Sequence, residues 1–184
     1  MFWTTGTIFI FCSALSSALC CDWFTHYSDL RNSSMTLIEV MGGDFTNEQC
    51  PVAFPYNLYK KMEKRNMESQ LLFIRNSLKQ IYDLYRYGNL SSTAWDFVKT
   101  LDFLESVNRQ IKELDSCVIQ ILIYYWLKYS LTEVLTVVLY LQDSSSACWE
   151  IIRKETKRHL DQLDLLGNRL GDAFRGRSAT TRRH

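Results

Sequence analysis

Residues 67–88 read MESQLLFIRNSLKQIYDLYRYG, and the apolar positions Met67, Leu71, Ile74, Leu78, Ile81 and Tyr85 recur at steps of four and three. That is the period of one face of an α-helix rather than the alternation of a strand. Gly88 stands where a C-terminal cap belongs. A helix with one apolar stripe must bury it against other elements, and the rest of the chain offers only further helices.

Downstream, Asn89-Leu90-Ser91 forms a short turn and a glycosylation sequon. Thr93 is the expected cap of a third helix, whose stripe is Phe97, Leu101, Leu104, Ile111 and Leu114, up to Cys117. The Trp95-Asp96 pair at its opening packs and caps rather than reacts. Residues 118–141 are apolar enough to suggest a membrane span, but Lys128 and Glu133 interrupt them. Their Leu127, Leu131, Val134, Val138 and Leu141 keep the helical period, so a largely buried fourth helix is predicted.

Upstream, residues 42–65 carry Gly42, Gly43, Cys50, Pro51 and Pro55 and read as a long connection. Val52, Phe54, Tyr56, Leu58 and Tyr59 make it an ordered one, lying against the helices. Before it, Trp23, Tyr27, Leu30, Leu37, Ile38 and Met41 mark a first helix stopped by the two glycines, with the sequon residue Asn32 on the opposite face. At the other end, Ser146 is the expected cap of a fifth helix, with Ile152, Thr156, His159, Leu163, Leu166 and Leu170 inward.

The termini fall outside this pattern. Residues 1–20 hold no charged side chain, and the apolar run 8–19 has the length of a signal-peptide core. Cleavage after Ala18 or after Cys20 fits; the latter leaves an even set of Cys21, Cys50, Cys117 and Cys148. Residues 175–184 form a basic tail with Arg175, Arg177, Arg182 and Arg183, expected to be disordered. The body between is mildly acidic, which argues against nucleic acid as a partner. With 47% hydrophobic residues over 184 positions, one domain spanning 21–174 has ample core.

Four cysteines in an oxidising compartment imply two disulfides and allow three connectivities. The long early connection lets the first two core helices run parallel, and the short turn at 88–92 makes the next pair antiparallel, giving an up-up-down-down bundle of five helices. In that topology Cys21 and Cys117 lie at one end, and Cys50 and Cys148 at the other. Other pairings would span the bundle, far beyond the roughly 7 Å between Cα atoms that a disulfide allows.

No Gly-rich phosphate loop, nucleophile elbow or His-Glu-x-x-His occurs, and the cysteines and histidines have no zinc spacing. The expectation is recognition without catalysis, cofactor or metal. On the last helix Arg153, Lys154, Lys157 and Arg158 lie roughly opposite the inward stripe. Arg153 with Lys157, and Lys154 with Arg158, are like-charge pairs four apart, each costing about 0.2–0.5 kcal/mol. Such a face beside an ordered connection suits docking of an acidic partner.

Several motifs together are more specific. Cys21-Asp22-Trp23, Met41-Gly42-Gly43-Asp44, Phe54-Pro55, Cys117-Val118 and Trp149-Glu150-Ile151-Ile152-Arg153-Lys154-Glu155 resemble the type I interferons, especially those of bony fish. The resemblance spans nearly the whole chain after the leader, and the Trp-Glu-x-x-Arg helix start is its most specific part. It implies a long-chain helical cytokine, secreted and monomeric, that bridges two different class II cytokine receptor chains and activates Janus kinases in antiviral defence. By position, Phe54, Pro55, Arg153, Lys154, Lys157 and Arg158 would face one receptor chain. Outward positions on the second, third and fourth helices would face the other. The alternative is another class II helical cytokine, interferon-lambda-like or an interleukin ligand.

Overall fold

The structure, a computed structural model, describes residues 23–48, 53–125 and 145–181. Its helices are α1 (Trp23–Val40), α2 (Tyr56–Met62), α3 (Met67–Tyr87), α4 (Phe97–Tyr125) and α5 (Ser146–Thr181), with a short 3-10 turn at Leu90–Ser92. Among the described residues there is no strand. The expected leader at 1–20, Cys21, Cys50 and most of the predicted fourth helix lie outside them.

Helix α3 forms as its periodicity predicts. Asn66 caps it, its Oδ1 accepting from the Ser69 amide at 3.0 Å, while Glu68 and Arg86 lie at the ends their charges favour. Leu71, Ile74, Leu78, Ile81 and Tyr85 are buried. Gly88 does end the helix, but for a different reason from the one that usually selects glycine there. Its backbone is extended, and a Cβ would run into the Trp149 ring and the Leu84 carbonyl. The position needs space, not a left-handed backbone.

Helix α4 lies along both α1 and α3, and α5 packs against the same two. Three features of α4 differ from expectation. It runs through Cys117 and Val118 to Tyr125 without a break, because neither glycine nor proline interrupts it and fully buried Val118 extends the stripe of Phe103, Val107 and Leu114. The expected boundary between a third and a fourth helix at 117–118 is therefore absent. Phe97 and Leu101, expected inside, are 74% and 43% exposed, because the buried face passes instead through Thr100, Phe103 and Leu104. Thr93 does not cap it; Asp96 of the Trp95-Asp96 pair does, as that pair's reading expected, its Oδ1 accepting from the Lys99 amide at 3.0 Å.

A polar seam joins α1 to α4. Ser34, Ser106 and Gln110 are buried there. Ser106 Oγ and Gln110 Nε2 donate to the Leu30 carbonyl at 3.2 and 3.4 Å, and Gln110 Nε2 also donates to Ser34 Oγ at 3.1 Å. Every member thus has a partner, which buried polar groups require. Salt bridges at the flanks, Arg75 to Asp115 at 2.7 Å and Arg31 to Asp164 at 2.8 Å, link α3 to α4 and α1 to α5.

The long connection is more regular than predicted, since it folds α2 after Pro55 and buries Tyr59 beside α3. The last helix also exceeds its prediction, running to Thr181 and so into the expected tail. Its cap is Ser145, whose Oγ accepts from the Cys148 amide at 3.3 Å, in place of Ser146. Cys117 is disulfide-bonded. Cys148, expected in a bridge to Cys50, is half-buried and free in the first turn of α5.

Candidate functional site

Where α1 ends, α4 begins and α5 begins, three chain segments converge on one guanidinium. Helix α1 has no basic residue in its last turn, so nothing on that helix complements its terminal carbonyls. Arg153 of α5 supplies the missing charge. Its Nη1 donates to the carbonyls of Ile38 and Glu39, both at 3.2 Å, and its Nη2 to those of Gly43 and Asp44 at 2.6 and 3.3 Å. Nε donates to Glu150 Oε2 at 3.0 Å, and the guanidinium carbon lies 4.2 Å from the centre of the Phe45 ring.

Arg153 was expected on the outward face, but it is 0% exposed and belongs to the interior. The planar fork has donors enough to serve two turns of backbone and a carboxylate at once, which a lysine could not do. Gly42 allows the approach, since a Cβ there would come within 2.9 Å of both Arg153 Cζ and Trp95 Cδ1. Trp95 Nε1 donates to the other Glu150 oxygen, so the network extends from α5 to the start of α4. The Asp96 amide donates to the Met41 carbonyl at 2.7 Å and closes the same junction from the backbone side. Tyr85, Phe103 and Trp149 pack their rings beneath it.

Lys154 is half-buried and also directed at the connection. Its Nζ donates to the carbonyls of Thr46 and Glu48 at 2.9 and 2.8 Å. Lys157, half-buried, bridges Glu39 of α1 at 3.3 Å and Asp161 at 2.9 Å. Partial burial works against its charge, but the bonds to Asp161 and Glu39 outweigh that and raise its pKa above the ordinary lysine value. Arg158 is exposed, with Glu155 at 2.9 Å. The like-charge pairs noted in the sequence are thus offset by carboxylates and carbonyls on both sides.

Further along α5, the connection is held by aromatic contacts. The Phe54 ring lies 4.6 Å from those of both Tyr56 and His159, and 5.7 Å from Tyr59. The Tyr59 hydroxyl is 2.6 Å from His159 Nδ1. Burial pushes the His159 pKa down to about 4 and the Tyr59 pKa up, so both are neutral at physiological pH. Pro55 and Tyr56 remain exposed beside this cluster.

Of the six residues expected in the site, then, Phe54, Pro55, Lys154, Lys157 and Arg158 share the surface formed by α5 and the connection, and Arg153 lies beneath it. Sequence periodicity missed Phe45, Trp95 and Glu150 as its organisers. One hint was available: a glycine pair ending a helix that has no basic residue in its last turn. Among the described residues, no group of acids, histidines and cysteines is placed to hold a metal. No described helix is long and apolar enough to cross a membrane.

No family model matches the chain. It is 38% identical over 159 residues to interferon a3 of Oncorhynchus mykiss, a match covering 85% of this chain and 90% of that protein. The solved structure of zebrafish interferon 1 superposes with a TM-score of 0.62 at 24% identity, covering 82% of this chain and 99% of that one, a likeness of fold.

Proposed function

The chain belongs to the type I interferons of bony fish, and from that premise we propose that it is a secreted antiviral cytokine that brings together two different class II cytokine receptor chains and so activates their Janus kinases. One receptor chain binds the surface of α5 and the connection before α2, through Phe54, Pro55, Lys154, Lys157 and Arg158. Arg153 braces that surface from within rather than touching the receptor.

One observation carries this reading: Arg153 and Lys154 together bind four carbonyls between Gly43 and Glu48. Helix and connection are thereby presented as one preorganised surface, which lowers the ordering cost of binding. The second receptor chain meets outward positions of α3 and of α4, whose last residues belong to the stretch expected as a fourth helix. On α4, Phe97, Val98 and Leu101 form an exposed apolar patch of the kind that protein partners cover. The chain acts as an up-up-down-down monomer, released from its leader at 1–20, with Cys21 bridged to Cys117.

The test uses purified mature protein and matched receptor chains. Treated cells should induce antiviral genes, and silence across a panel of receptor pairs would sink the proposal. Combining Pro55→Ala with Arg158→Glu should weaken binding to one immobilised receptor chain by about tenfold or more, roughly 1.4 kcal/mol, and leave the other unchanged. Binding of the variant to both chains as tight as the parent's would remove the site assignment.

A further inference from the structure

The two sequons, at Asn32 and Asn89, are alike in sequence and unlike in the fold. We propose that Asn89 carries an N-linked glycan and that Asn32 does not, an inference resting on the proposed passage through the secretory pathway.

An N-linked glycan is bulky, and the sequons that carry one lie on surface loops, where the asparagine amide and the hydroxyl two residues on can sit side by side. In a helix, side chains at i and i+2 do not face each other. Asn32 lies inside α1 with its side chain exposed, and its Oδ1 accepts from Arg31 Nε and Nη2 at 3.1 and 2.6 Å. Ser34, the hydroxyl of the same sequon, is 1% exposed on the other face. There it donates to the Arg31 carbonyl at 3.0 Å and accepts from Gln110 at 3.1 Å. Ser34 is thereby accounted for by the packing of α1 on α4. The sequon at Asn32 is a by-product of that packing, set inside a helix and not on a surface loop.

Asn89 has the opposite arrangement. It precedes the 3-10 turn Leu90–Ser92, and its Oδ1 accepts from the Ser91 amide at 3.2 Å and from Ser91 Oγ at 2.6 Å. Amide and hydroxyl are thus already adjacent, and both residues are exposed. Leu90 packs against the core, and its carbonyl accepts from Thr93 N and Oγ1 at 3.0 and 2.8 Å, which fixes the turn with the asparagine outward. Tyr87, two residues upstream, is 80% exposed, so the neighbouring surface is open to a bulky group.

The co-reactant is a lipid-diphosphate-linked oligosaccharide, used by the host cell's transferase. A bond forms between Asn89 Nδ2 and C1 of the first N-acetylglucosamine. The bond from C1 to the diphosphate oxygen breaks, the lipid diphosphate leaves with the electron pair, and the amide loses one proton to the transferase base.

The full chain, expressed in secreting eukaryotic cells, is collected from the medium and analysed by gel mobility and peptide mass before and after treatment with an N-glycan amidase. The expected result is a mobility shift for the wild type and Asn32→Gln, none for Asn89→Gln or Ser91→Ala, and enzymatic deamidation at position 89 alone. The wild-type peptide map decides the matter even where a variant fails to fold. Deamidation at position 32, or secreted chain without any shift, would overturn the proposal. Chain retained in the cytosol would overturn the secretory reading, and the glycan with it.

Discussion

Replacing Arg153 with methionine keeps side-chain bulk and removes all the donors by which this residue joins α1 and the connection to α5, leaving those of Lys154 and Lys157 in place. The half-buried carboxylate of Glu150, left with Trp95 alone, and the carbonyls of Ile38, Glu39, Gly43 and Asp44 then lose the guanidinium together. Breaking a buried charge pair by removing one member costs about 3–5 kcal/mol. For a domain of this size each kcal/mol lowers Tm by roughly 2–4 °C, so the expected loss is about 6–20 °C. Thermal melts followed by circular dichroism measure it, with amide hydrogen exchange reporting on residues 42–48, which should lose protection beyond the global change. Arg153→Lys should fall between, since an ammonium keeps the charge but cannot serve both the helix end and the connection. Arg158→Ala, at an exposed site, should stay within about 0.5 kcal/mol of the parent. In a double-mutant cycle, Glu150→Gln should be strongly non-additive with Arg153→Met. A loss below about 1 kcal/mol for Arg153→Met, with exchange at 42–48 unchanged, would refute the brace and return Arg153 to the outer face.

Two further predictions follow from buried groups. His159 has its folded pKa lowered to about 4 from an ordinary 6.5, so between those values the unfolded chain binds the extra proton and the native one does not. Stability from this group is complete above pH 6.5, falls as pH drops toward 4, and the loss is at most about 3.4 kcal/mol. Urea melts across that window should show a slope that His159→Phe flattens; an unchanged slope would mean that His159 is not the group responsible. Gly88→Ala would stabilise an ordinary extended position through the unfolded state, but here it meets the Trp149 ring and should cost about 1–3 kcal/mol. A variant as stable as the parent would show that the ring can move aside.

The extent of each helix was legible to different degrees, for reasons that particular residues make plain. In α3, cap, stripe and terminating glycine all agree, and the helix forms at the predicted residues. In α4 the stripe through Phe97 and Leu101 satisfies the period as well as the true one through Phe103, Val107 and Leu114 does, and the sequence alone does not choose between them. The choice depends on α1 and α3, whose packing covers one side. The expected stop near Cys117 likewise had no breaker behind it, and local hydrogen bonding carried the helix onward.

By itself the sequence determined the class of fold, the main helices and the surface on which α5 meets the long connection, because periodicity, capping and chain breaks are local properties. Only the tertiary structure decided what the basic residues of α5 do. Arg153 neighbours the inward positions Ile152 and Thr156, and whether it turns in depends on acceptors that must come from elsewhere. Those are carbonyls at the end of α1 and in the connection, more than a hundred positions away along the chain: Arg153 and the Ile38 carbonyl are 115 residues apart. A charge is buried only where folding delivers partners for it, and no stretch around residue 153 contains them.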